Sequence, residues 1–467
     1  MATLFLVAQI LGLITSIHAL MTVRTAQGTI AWIVSLNTFP IAAVPAFWIF
    51  GRSRFQGYVL ERRQRDQVAD PQTREFIDRI LTLRPDFAST EGAALAGERL
   101  AKLPYLGGNE VELLVDGRAT FDSVLAGIDR AARFVLVQFY IVHDDGLGRE
   151  LRDHLVARAR AGVKVHFLYD EIGSSDLPSS YLESLREAGV DARAFNSTKG
   201  FGNRFQLNFR NHRKIVVVDG TEGWVGGHNV GDEYLGKDPE IGPWRDTHVR
   251  IAGPAALGLQ LSFVEDWHWA TGDLLELEWI PTTCGKSSVL ILPSGPADRL
   301  ETASLMYQEA IHAASNRIWI ASPYFVPDDA VVSALHLAAL RGVEVRLLIP
   351  ERSDSRVVDA AAESFLDPLL ASGIEIYRYR GGFLHSKHFL VDDIAAGVGT
   401  ANLDNRSLRL NFEVTAIVVD AGFASRVARM FEADLERSVR VQREDLEGQS
   451  FFRRAFTRAA LLFSPVL

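Results

Sequence analysis

From His212 to Asn229 the chain reads HRKIVVVDGTEGWVGGHN, and from His385 to Asn402 it reads HSKHFLVDDIAAGVGTAN. Both segments follow the pattern H-x-K-x4-D-x6-G-[GT]-x-N, and 173 residues separate them. A single H-x-K is common, but two copies with identical internal spacing are very unlikely to arise by chance. The duplication predicts two similar units that bring two histidines and two lysines around one phosphate.

Size and composition narrow the class of protein. A length of 467 residues suits two domains with additional segments. The net charge of −9 argues against broad nucleic-acid binding, which relies on a basic surface. The one cysteine, Cys284, excludes an intramolecular disulfide, and the histidines form no metal-ligand pattern such as H-E-x-x-H. The sequence therefore predicts neither a metal nor another cofactor.

Two uncharged runs open the chain, Met1–Val23 and Thr25–Gly51, and each is long enough to cross a hydrocarbon core. Because only Arg24 separates them, residues 1–51 are predicted to form a transmembrane helical hairpin, with Pro40 and Pro45 kinking the second helix. A cleaved signal peptide is the alternative for the first run. No positive residue precedes its apolar stretch, and a second run of membrane length follows, which favours the hairpin.

Basic residues set the predicted orientation of this hairpin. The positive-inside rule places the catalytic part on the cytoplasmic side, since basic residues cluster directly after the second run. They are Arg52, Arg54, Arg62, Arg63 and Arg65.

The rest of the chain alternates strand and helix patterns and does so twice. Residues 52–107 are predicted to be a juxtamembrane connector, followed by two α/β units at 108–285 and 286–467. In the first unit we expect strands at 134–141, 163–169 and 214–218 and a helix at 148–161. In the second we expect strands at 317–322, 343–349 and 388–391 and a helix at 329–341. The last 17 residues, 451–467, predict an amphipathic helix that either touches anionic lipid or packs on the domain.

The motif residues suit phosphoryl-transfer chemistry. One neutral imidazole, from His212 or His385, can attack phosphorus, and the other can exchange a proton with the leaving and entering oxygens. Lys214 and Lys387 supply positive charge to the phosphoryl oxygens. The side chains of Asn229 and Asn402 can donate amide hydrogen bonds, so we expect them to bind phosphate.

Each histidine also needs an acceptor for its second ring nitrogen. Asp246 and Glu413 lie downstream of the first and second motif and are the predicted histidine-orienting carboxylates. Asp219 and Asp392 belong to the motif and are grouped with its catalytic residues, although at the end of each motif strand a structural bond to backbone or a turn is favoured. His228 is a weaker candidate for lining the site.

The doubled motif resembles the hallmark of the phospholipase D superfamily, and the chain is most similar to its bacterial cardiolipin synthases. The resemblance covers nearly the whole chain and rests on several further phrases. These are Ala31-Trp32, residues 208–214, Gly226-Gly227-His228-Asn229, residues 243–248, residues 323–327, residues 402–407 and the terminal Phe463-Ser464-Pro465-Val466-Leu467. One departure concerns the position of Gly227 and Thr400, where many members have Ser.

The resemblance implies a fold of two tandem phospholipase D-like α/β/α sandwich domains that share one active site. It implies cytoplasmic catalytic domains on a bacterial inner membrane, with phosphatidylglycerol as lipid partner. The reaction would be phosphatidyl transfer between two phosphatidylglycerol molecules through a phosphohistidine, without a metal and with His212 as nucleophile.

Three alternatives remain open at this stage. A lipid hydrolase would use the same residues with water as acceptor, and a nuclease is disfavoured by the acidic chain and its apolar runs. An inactive phospholipid-binding membrane scaffold would not need two complete His–Lys pairs.

Overall fold

The structure is a computed structural model that describes residues 2–23, 25–51, 79–87, 91–195, 208–239, 242–446 and 450–466. At the N-terminus lie three helices: α1 (Ala2–Thr22), α2 (Ala26–Thr38) and α3 (Pro40–Phe50). The basic cluster at 52–65 lies outside the described residues. The predicted connector, 52–107, also lies outside them at 52–78 and again at 88–90. Within its described part a further helix, α4, covers Glu91–Ala101.

The second apolar run differs from its prediction. Among the helices that the structure describes, only α1 is long and apolar enough to cross a membrane, over Phe5–Thr22. The second run is divided into α2 and α3, because Pro40 has no backbone N–H and starts a new helix after Phe39. Pro45 lies inside α3. The helices pack through a small cluster of Ala19, Leu36, Ala43 and Phe47.

The first α/β unit follows α4 and contains nine strands and four helices among the described residues. In chain order they are β1 (Leu106–Val115), α5 (Asp116–Arg130), β2 (Phe134–Phe139), α6 (Gly146–Arg160), β3 (Lys164–Asp170), α7 (Ser179–Glu187), β4 (Asp191–Phe195), β5 (Arg210–Asn211), β6 (Ile215–Val218), β7 (Glu222–Gly226), β8 (Trp244–Arg245), β9 (Thr247–Ala252) and α8 (Ala256–Thr271).

The second α/β unit repeats this order. Its elements are β10 (Ser287–Ser294), α9 (Thr302–Ala313), β11 (Arg317–Ala321), β12 (Phe325–Val326), α10 (Asp329–Leu340), β13 (Glu344–Pro350), α11 (Arg356–Ala371), β14 (Glu375–Tyr379), β15 (Phe383–Leu384), β16 (His388–Val391), β17 (Ala395–Gly399), β18 (Leu403–Asp404), α12 (Asn405–Arg409), β19 (Asn411–Val419), α13 (Ala421–Leu435), β20 (Ser438–Arg440) and α14 (Phe451–Leu461).

The strand and helix predictions are confirmed to within about two residues at most of their ends. Apolar runs explain the agreement, since every residue of β2 and of β6 is buried. Strands that are covered on both faces read as continuous apolar segments. The mixed α/β fold class is also confirmed.

The two units share one continuous sheet, which the sequence did not indicate. Its strand order is β20-β14-β13-β11-β16-β17-β19-β10-β1-β9-β7-β6-β2-β3-β4. The antiparallel pair β1 and β10 joins the units at the centre. Outward from this junction both units present the same sequence of strands, as a duplicated unit requires. The loops that carry the two motifs therefore meet near the junction.

Candidate active site

A short strand directly before each motif pairs with a strand of the opposite unit. β5 runs parallel to the start of β19, and β15 runs parallel to β8. The backbone N–H of His212 donates to the carbonyl of Phe412 at 2.9 Å, and that of His385 donates to the carbonyl of Arg245 at 2.8 Å. Each histidine is thus fixed by the backbone that precedes the carboxylate of the other unit.

The spacing of His and Lys, two residues apart, predicts that both lie on one face of a strand, and the motif backbone differs locally from that prediction. His212 and Lys214 lie between β5 and β6 rather than inside a strand, and His385 and Lys387 occupy the same place between β15 and β16. The physical reason is that each segment leaves its short pairing with the other unit before it enters its own sheet. All four side chains are buried.

The first histidine pairs with a carboxylate of the second unit. His212 Nδ1 lies 2.9 Å from Glu413 Oε2 and 3.0 Å from its Oε1. The carboxylate is fully buried. Its other contacts come from hydroxyls and an amide: Thr400 Oγ1 donates to Oε2, Ser407 Oγ donates to Oε1 at 2.8 Å, and Asn411 Nδ2 donates to Oε1 at 3.2 Å.

The second histidine pairs with a carboxylate of the first unit. His385 Nδ1 lies 2.7 Å from Asp246 Oδ2, and the backbone N–H of Thr247 donates to Oδ1 at 2.7 Å. Both Nδ1 atoms therefore face carboxylates, which leaves Nε2 of each ring for a substrate. The sequence had given these carboxylates without saying which histidine each would hold, and the structure crosses them between the units.

The surroundings of Gly227 explain why glycine stands where many family members have Ser. A Cβ atom built there would lie 2.0 Å from Asp246 Oδ1, so the Asp246 carboxylate occupies the space that a side chain would need. At the matching position of the second unit, Thr400 instead donates its hydroxyl to Glu413. In the first unit, Gly227 therefore occurs together with the shorter carboxylate of Asp246, whereas the second unit has Thr400 together with Glu413.

The two lysines lie close enough to affect each other. Lys214 Nζ donates to the carbonyl of His212 at 2.7 Å, and Lys387 Nζ donates to that of His385. Burial lowers the pKa of Lys387 to about 8. Burial also lowers the pKa of Lys214 well below its usual value, and the charge of Lys387 lowers it further. An anion placed between the ammonium groups would offset both effects.

Both motif histidines are neutral near pH 7. Burial lowers the pKa of His212 to about 4, against the opposing effect of Glu413. Burial lowers the pKa of His385 well below its usual value, with the charges of Lys387 and Lys214 adding to the shift. A neutral imidazole whose Nε2 lone pair is not used by the carboxylate is a competent nucleophile.

The two asparagines are buried beside the motif but are already engaged. The Asn229 side chain accepts from the backbone N–H of Ile141 at 3.1 Å and donates to the Tyr234 hydroxyl at 2.8 Å. The Asn402 amide interacts with the carboxylate of Asp404 and lowers the pKa of that group, which burial raises. Binding phosphate through both amides stays a prediction, since one N–H of Asn229 is used by Tyr234.

Aromatic side chains surround the histidines. The ring of Tyr140 lies 5.1 Å from that of His212, and Lys214 Nζ lies 5.3 Å from the Tyr140 ring centre. On the other side the Trp244 ring lies 5.0 Å from His385. Rings at these positions cover part of each imidazole with apolar surface. Tyr324 binds Asp354 through its hydroxyl at 2.8 Å.

The motif aspartates lie at the far end of the motif strands from the histidines, where they bind backbone, and their grouping with the catalytic residues stays a prediction. Asp219 accepts from the backbone N–H groups of residues 132–134, each at 2.8 Å. Asp392 does the same for residues 315–317 at 2.8–3.1 Å. Each has a positive φ, 52° and 49°. Six residues separate each aspartate from its histidine, and each aspartate holds the turn before the neighbouring strand.

Sequence reasoning missed several residues of the site. Thr400 and Ser407 anchor Glu413, and Arg245 binds Asp434 through two contacts of 2.8 Å while its main chain holds His385. Their only sequence signal is proximity to the motif or to Asp246. The His228 side chain is buried against His248, with the two Nδ1 atoms 3.1 Å apart. In the described part of the chain, no group of three or more His, Cys, Asp or Glu side chains could hold a metal ion.

A family model described as "Cardiolipin synthase, PLD-like domain" matches the chain twice, at residues 124–250 and 307–435. The chain is 49% identical over 465 residues to cardiolipin synthase A of Pseudomonas putida strain KT2440, covering 98% of this chain and 96% of that protein. It is 48% identical over 465 residues to cardiolipin synthase A of Pseudomonas aeruginosa strain LESB58, covering 98% and 94%.

Among solved structures, phosphatidylserine synthase of Haemophilus influenzae aligns with a TM-score of 0.61 at 14% sequence identity. The alignment covers 80% of this chain and 100% of that chain. At this identity the likeness concerns the fold, and it supports the duplicated α/β architecture.

Proposed function

The chain belongs to the cardiolipin synthase family of phospholipase D-like proteins, and from that premise we propose that it joins two phosphatidylglycerol molecules into cardiolipin and releases glycerol. It is a phosphatidyltransferase of the phospholipase D superfamily. The observation that supports the reaction most directly is the pair of crossed histidine–carboxylate contacts beside two buried lysines.

In the first step His212 Nε2 attacks the phosphorus of one phosphatidylglycerol. A P–N bond forms and the P–O bond to glycerol breaks. Glu413 stabilises the positive charge that develops on the attacking ring. The departing glycerol oxygen takes a proton from His385, whose pKa rises when the anionic phosphodiester lies between Lys214 and Lys387.

In the second step the hydroxyl of another phosphatidylglycerol attacks the phosphohistidine. His385, now neutral, accepts the hydroxyl proton while Asp246 holds the other ring nitrogen. The new P–O bond forms, the P–N bond breaks and His212 is regenerated. Lys214, Lys387, Asn229 and Asn402 are proposed to bind the phosphoryl oxygens in both steps.

Transfer and hydrolysis differ only in which acceptor reaches the phosphohistidine. The aromatic side chains beside the imidazoles favour a lipid acceptor over water. Two complete His–Lys pairs with oriented carboxylates argue against an inactive phospholipid-binding scaffold.

The test is a product analysis of the full chain reconstituted in vesicles that contain phosphatidylglycerol. The expected products are cardiolipin and glycerol in equal amounts. Phosphatidic acid and glycerol without cardiolipin would establish a hydrolase instead. Absence of any turnover, with lipid still bound, would support the scaffold.

The location of the protein follows from the apolar helices and the family. We propose a bacterial inner-membrane protein that crosses the membrane twice, once through α1 and once through α2 and α3 together, and keeps its catalytic part in the cytoplasm. The apolar character of α1 and the arginines after residue 51 support this topology. A cysteine at Gln64, with Cys284 replaced by Ser, should resist an impermeant thiol reagent in intact cells. Labelling as fast as in lysed cells would reverse the topology.

A further inference from the structure

The C-terminal helix α14 packs on the second unit through its smallest side chains. Thr457 and Ala460 are buried, whereas nearly all other residues of the helix are exposed. Ala460 joins a cluster with Ala360 and Ala361 of α11 and Val326 of β12. This inner face is narrow, and it leaves most of the large side chains of the helix exposed.

Aromatic and aliphatic side chains dominate the outer face. Phe452 is 83% exposed, Leu462 is 80% exposed and Phe451 is 72% exposed. Phe456 and Phe463 are also more than half exposed. Five large apolar side chains within 13 residues form a patch that a water-soluble surface rarely carries.

The charge of this segment opposes that of the chain. Residues 450–467 contain three arginines and no acidic residue, although the whole chain has a net charge of −9. Arg453 forms an ion pair with Glu363. Arg454 and Arg458 have no ion-pair partner among the residues that the structure describes. An apolar face flanked by arginine is the pattern of a helix that lies in an anionic membrane interface.

The position of α14 connects it to the active site. Val326, in the cluster beneath the helix, belongs to β12, which pairs with β18 directly after Asn402. The backbone carbonyl of Val326 also accepts a hydrogen bond from Asn405 Nδ2 at 3.0 Å. Two paired strands therefore link the helix to the proposed phosphate-binding side of the second unit.

We propose that α14 and the residues that follow it to 466 dock on an anionic phospholipid bilayer and hold the proposed phosphate-binding side of the second unit against the lipid surface. This docking deepens the proposed function and rests on it in one respect, since it assumes that the substrate enters from the bilayer. The exposed phenylalanines enter the interface, and Arg454 and Arg458 contact lipid phosphates.

Fluorescence tests the docking without any need for turnover. In the full chain with Cys284→Ser, a nitrobenzoxadiazole probe is attached at Phe452→Cys and, as a control, at Ile394→Cys. Ile394 is an exposed apolar residue beside Asp392, at the far end of the motif strand from His385. In vesicles with anionic lipid, nitroxide-labelled acyl chains should quench the probe at 452 strongly and the probe at 394 little.

Two results would overturn the docking. One is a probe at 452 that lipid nitroxides quench no more than the probe at 394. The other is quenching that disappears in nanodiscs holding a single chain, because contact of the patch with lipid would then require a second copy. Replacing anionic lipid by phosphatidylcholine should weaken quenching at 452. Wild-type protein that makes no cardiolipin would refute the proposed function while leaving this measurement interpretable.

A kinetic comparison links docking to activity. The triple variant Phe451→Ser, Phe452→Ser, Phe456→Ser should raise the apparent KM for vesicle phosphatidylglycerol by about tenfold, with kcat near wild type. Short-chain phosphatidylglycerol dispersed in detergent should be used as well as by the wild type. Leu337→Ser with Leu340→Ser, which removes exposed leucines of α10, is the matched control. An equal loss on both substrates would show damage to the site rather than lost docking.

Discussion

Each unit provides the carboxylate that binds the histidine of the other unit, and the two carboxylates are held in different ways. In the pair from the first unit, Asp246 binds His385 and fills the space above Gly227. In the pair from the second, Glu413 binds His212 and is held by the hydroxyls of Thr400 and Ser407. A duplicated motif has thus kept its geometry with a short carboxylate beside glycine and a long one beside threonine.

This difference gives the two histidines different surroundings for two different tasks. Glu413 is held by three side-chain donors in addition to His212, and its charge keeps the pKa of His212 higher than burial alone would. Lys214 and Lys387 lower the pKa of both histidines, so the difference lies in the carboxylates: Asp246, which binds His385, accepts from the backbone N–H of Thr247. The first arrangement suits a ring that becomes positive after attack, and the second suits a ring that releases and recovers a proton.

The largest expected effect separates the two histidines. His212→Ala should abolish turnover, whereas His385→Ala should lower it by about 10²–10⁴-fold, because only the proton transfer is lost. A phosphatidyl ester of p-nitrophenol needs no proton on its leaving group. Release of p-nitrophenol should therefore recover in His385→Ala and stay absent in His212→Ala.

His312→Ala, which removes an exposed histidine outside the site, is the control for these variants. Labelled phosphatidylglycerol followed by rapid denaturation should leave label on His212. Label on His385 would exchange the two roles. More than about a tenth of normal turnover in either variant would contradict a shared site.

The next largest loss of turnover is expected for variants of the two carboxylates, which test directly whether each carboxylate acts on the histidine of the other unit. Glu413→Gln and Asp246→Asn should each lower kcat on the order of 10²-fold with KM little changed, because they orient a ring rather than bind lipid. The activated ester should rescue Asp246→Asn, since Asp246 acts on the acid–base histidine, and should not rescue Glu413→Gln. Asp129→Asn is the control, since Asp129 pairs with His154 at 2.7 Å outside the site. Rescue of Glu413→Gln alone would reverse the assignment.

The difference between Gly227 and Thr400 predicts a smaller effect, which is expected at position 227 only. Gly227→Ser should displace Asp246 from His385, which costs about 1–3 kcal/mol of stability by overpacking and lowers kcat. Thr400→Ser keeps the hydroxyl that binds Glu413 and should remain close to wild type. Thermal unfolding and steady-state kinetics measure both quantities. Wild-type behaviour of Gly227→Ser would show that the carboxylate does not need this space.

The pH dependence of kcat/KM should reflect both units. Neutral His212 is required, and its pKa is about 4, so activity should persist below the usual histidine range and fall only as pH approaches 4. Glu413→Gln should move this acid limb to lower pH, because Glu413 raises the pKa of His212. The alkaline limb should begin no higher than about pH 8, the pKa of Lys387. An acid limb near pH 6.5 would contradict a buried neutral nucleophile.

The smallest expected effect on turnover concerns the motif aspartates. Asp219→Asn and Asp392→Asn should lower the free energy of unfolding by about 1–3 kcal/mol, since three backbone N–H groups in each turn lose a charged acceptor. Asparagine tolerates the positive φ at both positions, so the change isolates the hydrogen bonds. The kcat of the folded variants should match wild type. A fall in kcat without loss of stability would return these residues to the catalytic group.

Local sequence pattern predicted much of the fold. Continuous apolar runs such as Ile215–Val218 identified strands that are buried on both faces, and glycine-terminated helices ended close to where they were expected. The second membrane-length run was the exception, because Pro40 breaks the helix into two short pieces. Hydropathy measures composition along the chain and does not register that one missing N–H starts a new helix.

By itself the sequence determined the duplicated unit and the chemical groups of the site, because motif spacing and side-chain chemistry are local properties. Only the tertiary structure decided how those groups combine. Glu413 lies 201 residues from His212, and Asp246 lies 139 residues from His385. Their pairing depends on the junction of β1 with β10 and on the short strand pairs that exchange segments between the units. No local pattern encodes such contacts, since they arise from the packing of distant segments against one another.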